Sequence, residues 1–242
     1  MNENINGDVH GSIQPFLNAL GITLLLAGLL FWPLLPIGLF LVVYSIWNWI
    51  NEEVVLWPKR DKISTDTYPA TIVIIITEAL IFGVFFIFWF WARFYSVDAG
   101  NTWPPSGVEF NLAFVAFNSI LLFVSAYTAD QHLKSREDSN YWLEATILLG
   151  ALFLFGQIYE YYNLYNEGLT QKSSFGTAFF ALTGVHGLHV LIGIVALSIL
   201  RWLSKSNSLA KTTELPRSII LYWHFVDIIW VLILFVVYLE VI

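Results

Sequence analysis

Long uncharged apolar runs separated by short clusters of charge dominate this chain of 242 residues. A helix rises about 1.5 Å per residue, so about twenty residues cross a hydrocarbon core about 30 Å thick. From Gly11 to Asn51 there is no Asp, Glu, Lys or Arg, which is length enough for two crossings. Pro33 and Pro36 sit in the middle of that run, where proline removes a backbone donor and clashes with the preceding turn. The pattern therefore predicts a hairpin, with helix 1 near 13–32 and helix 2 near 34–51. A polar linker from Glu52 to Thr67 leads into helix 3, near 70–96, and a loop carrying Trp103, Pro104, Pro105 and Gly107 follows. Helix 4 is expected near 110–130, helix 5 near 141–163, helix 6 over 173–200 and helix 7 near 218–240. The expected fold is all-α, a polytopic membrane protein of seven transmembrane helices. Helices 1 and 2 carry no charge and precede a long charged linker, so the chain divides into a tail and two-helix unit (1–51), a linker (52–69) and a five-helix bundle (70–242).

Composition narrows the class. The chain is 57% hydrophobic and 12% charged, with a mean hydropathy of +0.69, against about 25% charged in a soluble domain. Soluble, fibrous and disordered classes are excluded. A transmembrane barrel would show alternating segments of about ten residues instead. The net charge of -7 argues against a nucleic-acid partner, because phosphate binding needs a basic patch. With no cysteine there is no disulfide, Cys-ligated zinc or iron–sulfur cluster, or thiolate-bridged copper. Glu3 and Asp8 without Lys or Arg in the first fifteen residues do not make the basic start of a secretory leader. Lys59, Arg60, Lys62, Lys134, Arg136, Arg201, Lys205, Lys211 and Arg217 fall on the side of the N-terminus, against Arg93 and Lys172 on the other. The excess places the N-terminus in the cytoplasm and the C-terminus outside.

Ionisable groups at membrane depth are costly and mark function by default. They are Glu78, His186, His189, His224 and Asp227. Glu78, about 12 Å in from the inner side, is either a proton-handling carboxyl or a buried acid bonded to another helix. His186 and His189 share a helix face, and so do His224 and Asp227. The first pair could hold a metal, but donation across a packed interface is the simpler reading, with Gly184, Gly187 and Gly193 allowing close approach. The second pair is expected to bond within its helix. Glu160, in a run ending Tyr161, Tyr162 and Asn163, suits a polar interface. Trp47, Trp49, Trp57 and Trp103 fall at membrane borders as an aromatic belt, or, for the first two, as part of a lipid headgroup pocket. His10 and His132 are expected in the tail and a loop, which leaves a metalloenzyme reading weak.

Several stretches together carry a resemblance. Helix 6 reads FGTAFFALTGVHGLHVLIG from Phe175 to Gly193, helix 7 reads YWHFVDIIWVLI from Tyr222 to Ile233, and EYY begins at Glu160. With TEALIF around Glu78 and WPPSG at Trp103 to Gly107, the chain resembles subunit III of the cytochrome c oxidase group of haem-copper oxidases. The resemblance implies a non-catalytic accessory subunit of a proton-pumping terminal oxidase. It would have no cofactor of its own, haem and copper lying in partner subunits. By the same resemblance subunit I would be the direct partner, with subunit II, other small subunits and membrane lipids around it. It further implies phospholipid bound between the first two helices and the rest, near Trp47, Glu53 and Arg201, and Glu78 as the family's buried carboxyl that supports proton uptake. Glu160, His186, His189, His224 and Asp227 form the helix-packing polar set. Tyr68 stands where the family commonly has an arginine. Five histidines and one methionine favour a prokaryotic plasma membrane over a mitochondrial inner membrane. Two alternatives stay open: subunit III of a quinol oxidase or nitric oxide reductase-type complex, and a stand-alone proton or solute transporter.

Overall fold

The structure, a computed structural model, describes residues 12–28, 31–56, 67–135, 139–205 and 214–238. His10, Trp57, Lys59, Arg60, Lys62, Arg136 and Lys211 lie outside the described residues, as do the side chains of Glu53 and Lys205. Seven α-helices account for nearly all of what is described. Contacts divide the chain into two compact units, 1–63 and 64–242.

The first unit is the hairpin of α1 (Gln14–Gly28) and α2 (Leu34–Leu56). The turn before α2 contains Pro33, and Pro36 falls in the first turn of α2, where its missing N–H has no helical partner to lose. The two backbones approach closely at glycine: a Cβ on Gly38 would stand 2.6 Å from the Leu25 amide nitrogen. Helix 2 runs five residues beyond the expected end at Asn51, so Glu52 is helical and not part of the linker. Its carboxylate accepts from the Ser12 hydroxyl at 2.6 Å and the Gln14 side-chain amide at 2.9 Å. Those bonds tie the start of α1 to the end of α2, and they hold the Glu52 carboxyl below the usual carboxylate range.

The second unit holds α3 (Thr67–Asp98), α4 (Leu112–Lys134), α5 (Ser139–Asn166), α6 (Ser174–Lys205) and α7 (Glu214–Ile233), the last continuing as a π-helical turn over Leu234–Tyr238. All five are long and apolar enough to cross a membrane. Packing runs α4, α5, α6, α3, α7 and back to α4, with α6 also against α7. Two tryptophans on α7, two helical turns apart, lock this ring. Trp223 and Trp230 are fully buried, and their indole N–H groups donate to Ser125 and Ser119 of α4, each at 3.0 Å. Each serine hydroxyl in turn donates a hydrogen bond to a carbonyl of its own helix, Leu122 and Val115 respectively. The polar atoms are thereby satisfied within hydrocarbon, where no water competes.

Two expectations about packing residues change. Trp103 also packs inward: its ring lies 4.8 Å from Phe175 and 5.1 Å from Trp89, centroid to centroid, in an aromatic cluster that seats the α3–α4 loop on the bundle. Of Gly184, Gly187 and Gly193, expected to allow close approach between helices, only Gly193 marks one. A Cβ there would sit 2.7 Å from the Trp223 ring, whereas at Gly184 and Gly187 it would meet its nearest neighbours at 3.8 and 3.9 Å, ordinary contact.

Candidate functional site

The helix start at Thr67, three residues earlier than the apolar pattern indicates, puts Glu78 eleven residues into α3, about 16 Å along the helix axis. There its Oε2 lies 2.9 Å from Nε2 of His189 on α6. The side chains are 28% and 10% exposed. The other ring nitrogen, Nδ1, lies 2.7 Å from the Val185 carbonyl oxygen, one turn earlier on the same helix.

These two contacts fix the proton count. A carbonyl oxygen only accepts, so Nδ1 carries a hydrogen and donates it. A neutral imidazole then has a bare lone pair at Nε2, and a carboxylate facing it would set lone pair against lone pair. The contact is favourable in two forms: a protonated Glu78 donating to Nε2, or an imidazolium donating to a carboxylate. Both hold one shared proton and both are neutral overall, which suits a site in hydrocarbon. Phe82, nearly fully buried, stacks at a tilt on His189 with ring centroids 4.8 Å apart and shields the pair from one side.

The remaining polar residues fall into separate groups. His186 is fully buried, and neither ring nitrogen has a hydrogen-bond partner. It stacks on Trp230 at 5.2 Å and takes the edge of Phe153 at 6.0 Å, so aromatic packing replaces the expected donation across the interface. His224 does not hide both polar ends by bonding to Asp227. Its Nε2 pairs at 3.0 Å with Asp130 of α4, while the Asp227 carboxylate stands 3.8 Å from Nδ1, beyond hydrogen-bond length, and makes no hydrogen bond. Lateral packing of α7 on α4 outcompetes the local bond. Glu160 is buried on α5, and its Oε2 accepts from the Gln157 amide and from the Tyr238 hydroxyl, both at 3.2 Å. The π-helical turn carries that tyrosine.

Arg201 closes the α5–α6 pair: its Nε donates to Glu144 Oε1 at 2.8 Å, and Nη2 contacts the same oxygen. Trp47 is 66% exposed on α2. Arg217 places its guanidinium carbon 5.5 Å over the Tyr68 ring. His132 is buried in the last turn of α4 and is not in a loop, because that helix extends to Lys134. Among the described residues no three His, Asp or Glu side chains converge as a metal site.

Asp130, Glu144 and Tyr238 are partners that sequence reasoning did not single out. Asp130 could have been found from its place near the same membrane level as His224. Tyr238 could not, since only the π-helical turn brings it round to Glu160.

The sequence matches a known family, whose model, described as cytochrome c oxidase subunit III, covers residues 7–241. The chain belongs to that family. Among curated relatives, a probable cytochrome c oxidase subunit 3 of Mycobacterium tuberculosis is 36% identical over 177 residues, 69% of this chain and 85% of the relative. A cytochrome c oxidase subunit 3 of Schizophyllum commune is 35% identical over 223 residues, 84% of this chain and 80% of the relative. A cytochrome bo(3) ubiquinol oxidase subunit 3 of Pseudomonas putida is 36% identical over 154 residues, 60% of this chain and 74% of the relative. The chain is thus a membrane subunit III of the haem-copper oxidase family, a component of an oxidase complex with other subunits.

Proposed function

We propose that this subunit III is a non-catalytic accessory chain of a proton-pumping terminal oxidase that reduces oxygen to water, packed beside subunit I, and that the Glu78–His189 pair is its proton-exchanging element. The observation that carries the reading is the contact at 2.9 Å between a carboxyl and an imidazole whose other nitrogen is committed to a carbonyl. Such a pair rests neutral at membrane depth and carries a net charge only while a proton is gained or lost. Haem and copper belong to the partner subunits in this reading. A cytoplasmic N-terminus in a prokaryotic plasma membrane accords with the nine-to-two distribution of basic residues. Phospholipid bound at the hairpin accords with exposed Trp47.

The test is a pair of variants in the assembled complex. Glu78→Ala should leave haem content and the initial oxidation rate intact, while shortening active lifetime during turnover or altering proton uptake. Glu78→Gln can still donate an amide hydrogen to Nε2 but has no transferable proton. It should therefore keep the packing and share the functional defect. Wild-type lifetime and proton uptake in Glu78→Gln would make the residue purely structural, and loss of haem in either variant would contradict the reading. The relative from Pseudomonas putida favours a quinol-oxidising complex as the second reading. Assaying the purified complex with reduced cytochrome c and with quinol separates the two.

A further inference from the structure

A cavity of about 340 Å³ opens where the start of α4 meets the end of α5, far along the sequence from Glu78 and outside the role proposed for it. Its walls carry three carboxylates, Glu109, Glu160 and Glu167, and no basic side chain. Glu109 and Glu167 are exposed at the rim. Glu160 is different. It is 6% exposed, and only one of its oxygens is engaged, accepting from Gln157 and Tyr238; Oε1 is buried and has no hydrogen-bond partner. The side-chain carbonyl oxygen of Gln157, one turn earlier on α5 and not in the cavity wall, is buried and unpartnered as well. Both unmet atoms are acceptors, and a buried polar atom without a partner costs free energy until a donor reaches it.

The walls also include Phe114 and Tyr159, whose ring centroids stand 5.4 Å apart at 60°. An aromatic wall next to carboxylates is the combination that attracts organic cations, through ring quadrupole and opposite charge together. The side chains do not converge tightly enough for a bare metal ion: among the described residues no such group of three exists. The volume instead admits an ion with an attached carbon chain.

We propose that this cavity binds an ammonium or guanidinium group, with Glu160 as the buried counter-charge and Glu109 and Glu167 drawing the cation in. Two sources share that chemistry: the Lys or Arg side chain of a neighbouring subunit, and a free organic cation.

Thermal unfolding tests it, on the detergent-purified full chain and on the whole oxidase complex, in n-propylammonium, methylguanidinium or tetramethylammonium chloride at equal ionic strength. Tetramethylammonium has no N–H to donate. Propylammonium or methylguanidinium should raise the midpoint of the full chain saturably, by about 2 °C or more, and tetramethylammonium, lacking a donor for Glu160 Oε1, by clearly less. Glu160→Gln should abolish the rise. Glu109→Gln with Glu167→Gln, both at the exposed rim and safe for folding, should weaken the apparent affinity about threefold. A rise in the full chain alone identifies the occupant as a neighbouring subunit's side chain. A rise in both preparations identifies a free cation. Equal responses to all three salts, no response in either preparation, or an undiminished response in the rim variant would each overturn the proposal.

Discussion

Substituting alanine for Gly193 tests the way α7 is held in the ring. The new Cβ would stand 2.7 Å from Cε3 and 2.8 Å from Cζ3 of Trp223. Ordinary contact begins near 3.4 Å, so the ring or the helix must give by about 0.7 Å or more. Flexible side chains give cheaply, but this indole is fully buried, and Gly150 of α5 meets its other edge at 2.7 Å from Cη2 by the same construction. Overpacking at such a site costs about 1–3 kcal/mol. Displacing the ring also lengthens the 3.0 Å bond from its Nε1 to Ser125 Oγ, at a further cost of about 0.5–1.5 kcal/mol. The expected destabilisation is about 2–4 kcal/mol, read as a shift in the reversible unfolding of the chain in mixed micelles. Gly184→Ala on the same helix is the control: its Cβ meets nothing closer than 3.8 Å, so it should be neutral or stabilise by up to about 1 kcal/mol through helix propensity. Combining Gly193→Ala with Trp223→Phe should recover part of the loss, as a coupling of about 0.5–3 kcal/mol. Equal effects of the two alanine substitutions would refute the argument, since both place a methyl group on one helix and differ only in what it meets.

Trp230→Phe should cost about 2–4 kcal/mol in the same assay, because it removes buried volume and the donor to Ser119; a loss under about 0.5 kcal/mol would show that the indole bond contributes nothing. The Glu52 carboxyl is depressed below its usual 4.5 by its bonds to Ser12 and Gln14, so its tie between the hairpin ends is fully present above that pH and is lost as pH falls through the lower folded value. An infrared titration, taken as the difference between the native chain and Glu52→Gln, should show a midpoint below 4.5 that rises towards it in Ser12→Ala. Deleting residues 1–63 should leave the second unit, 64–242, folded by tryptophan fluorescence and depleted of phospholipid, and collapse of α3 to α7 would contradict that independence.

The seven helices were legible because they are long apolar runs set apart by charged clusters or, between the first two, by proline, a signal that depends on neither partners nor packing. Ends were less legible. Helix 2 passes through Glu52, and helix 3 starts at Thr67, because a polar residue at a membrane border extends a helix as readily as it ends one. Glu78 and His189 were each recognisable as costly in lipid, yet 111 residues separate them, and nothing local says which helices touch. For His224 the near neighbour Asp227 was the natural choice of partner. The structure prefers Asp130, since contacts across helices are invisible to spacing along one. Trp223 and Trp230 read as ordinary apolar residues until Ser125, Ser119 and Gly193 are seen around them. The signal was present in tryptophans two turns apart facing serines, but it takes the packing to interpret it.

The neutrality of the Glu78–His189 pair has an electrical consequence. Carrying an elementary charge across the whole membrane changes its energy by about 2.3 kcal/mol per 100 mV. A proton passing between Oε2 and Nε2 travels less than their 2.9 Å separation, at most about a tenth of a hydrocarbon core of about 30 Å. The field therefore biases that transfer by about 0.2 kcal/mol at most per 100 mV, well below thermal energy. An energised and a de-energised membrane would find the proton in the same balance between acid and imidazole, so the exchange within the pair is nearly blind to voltage.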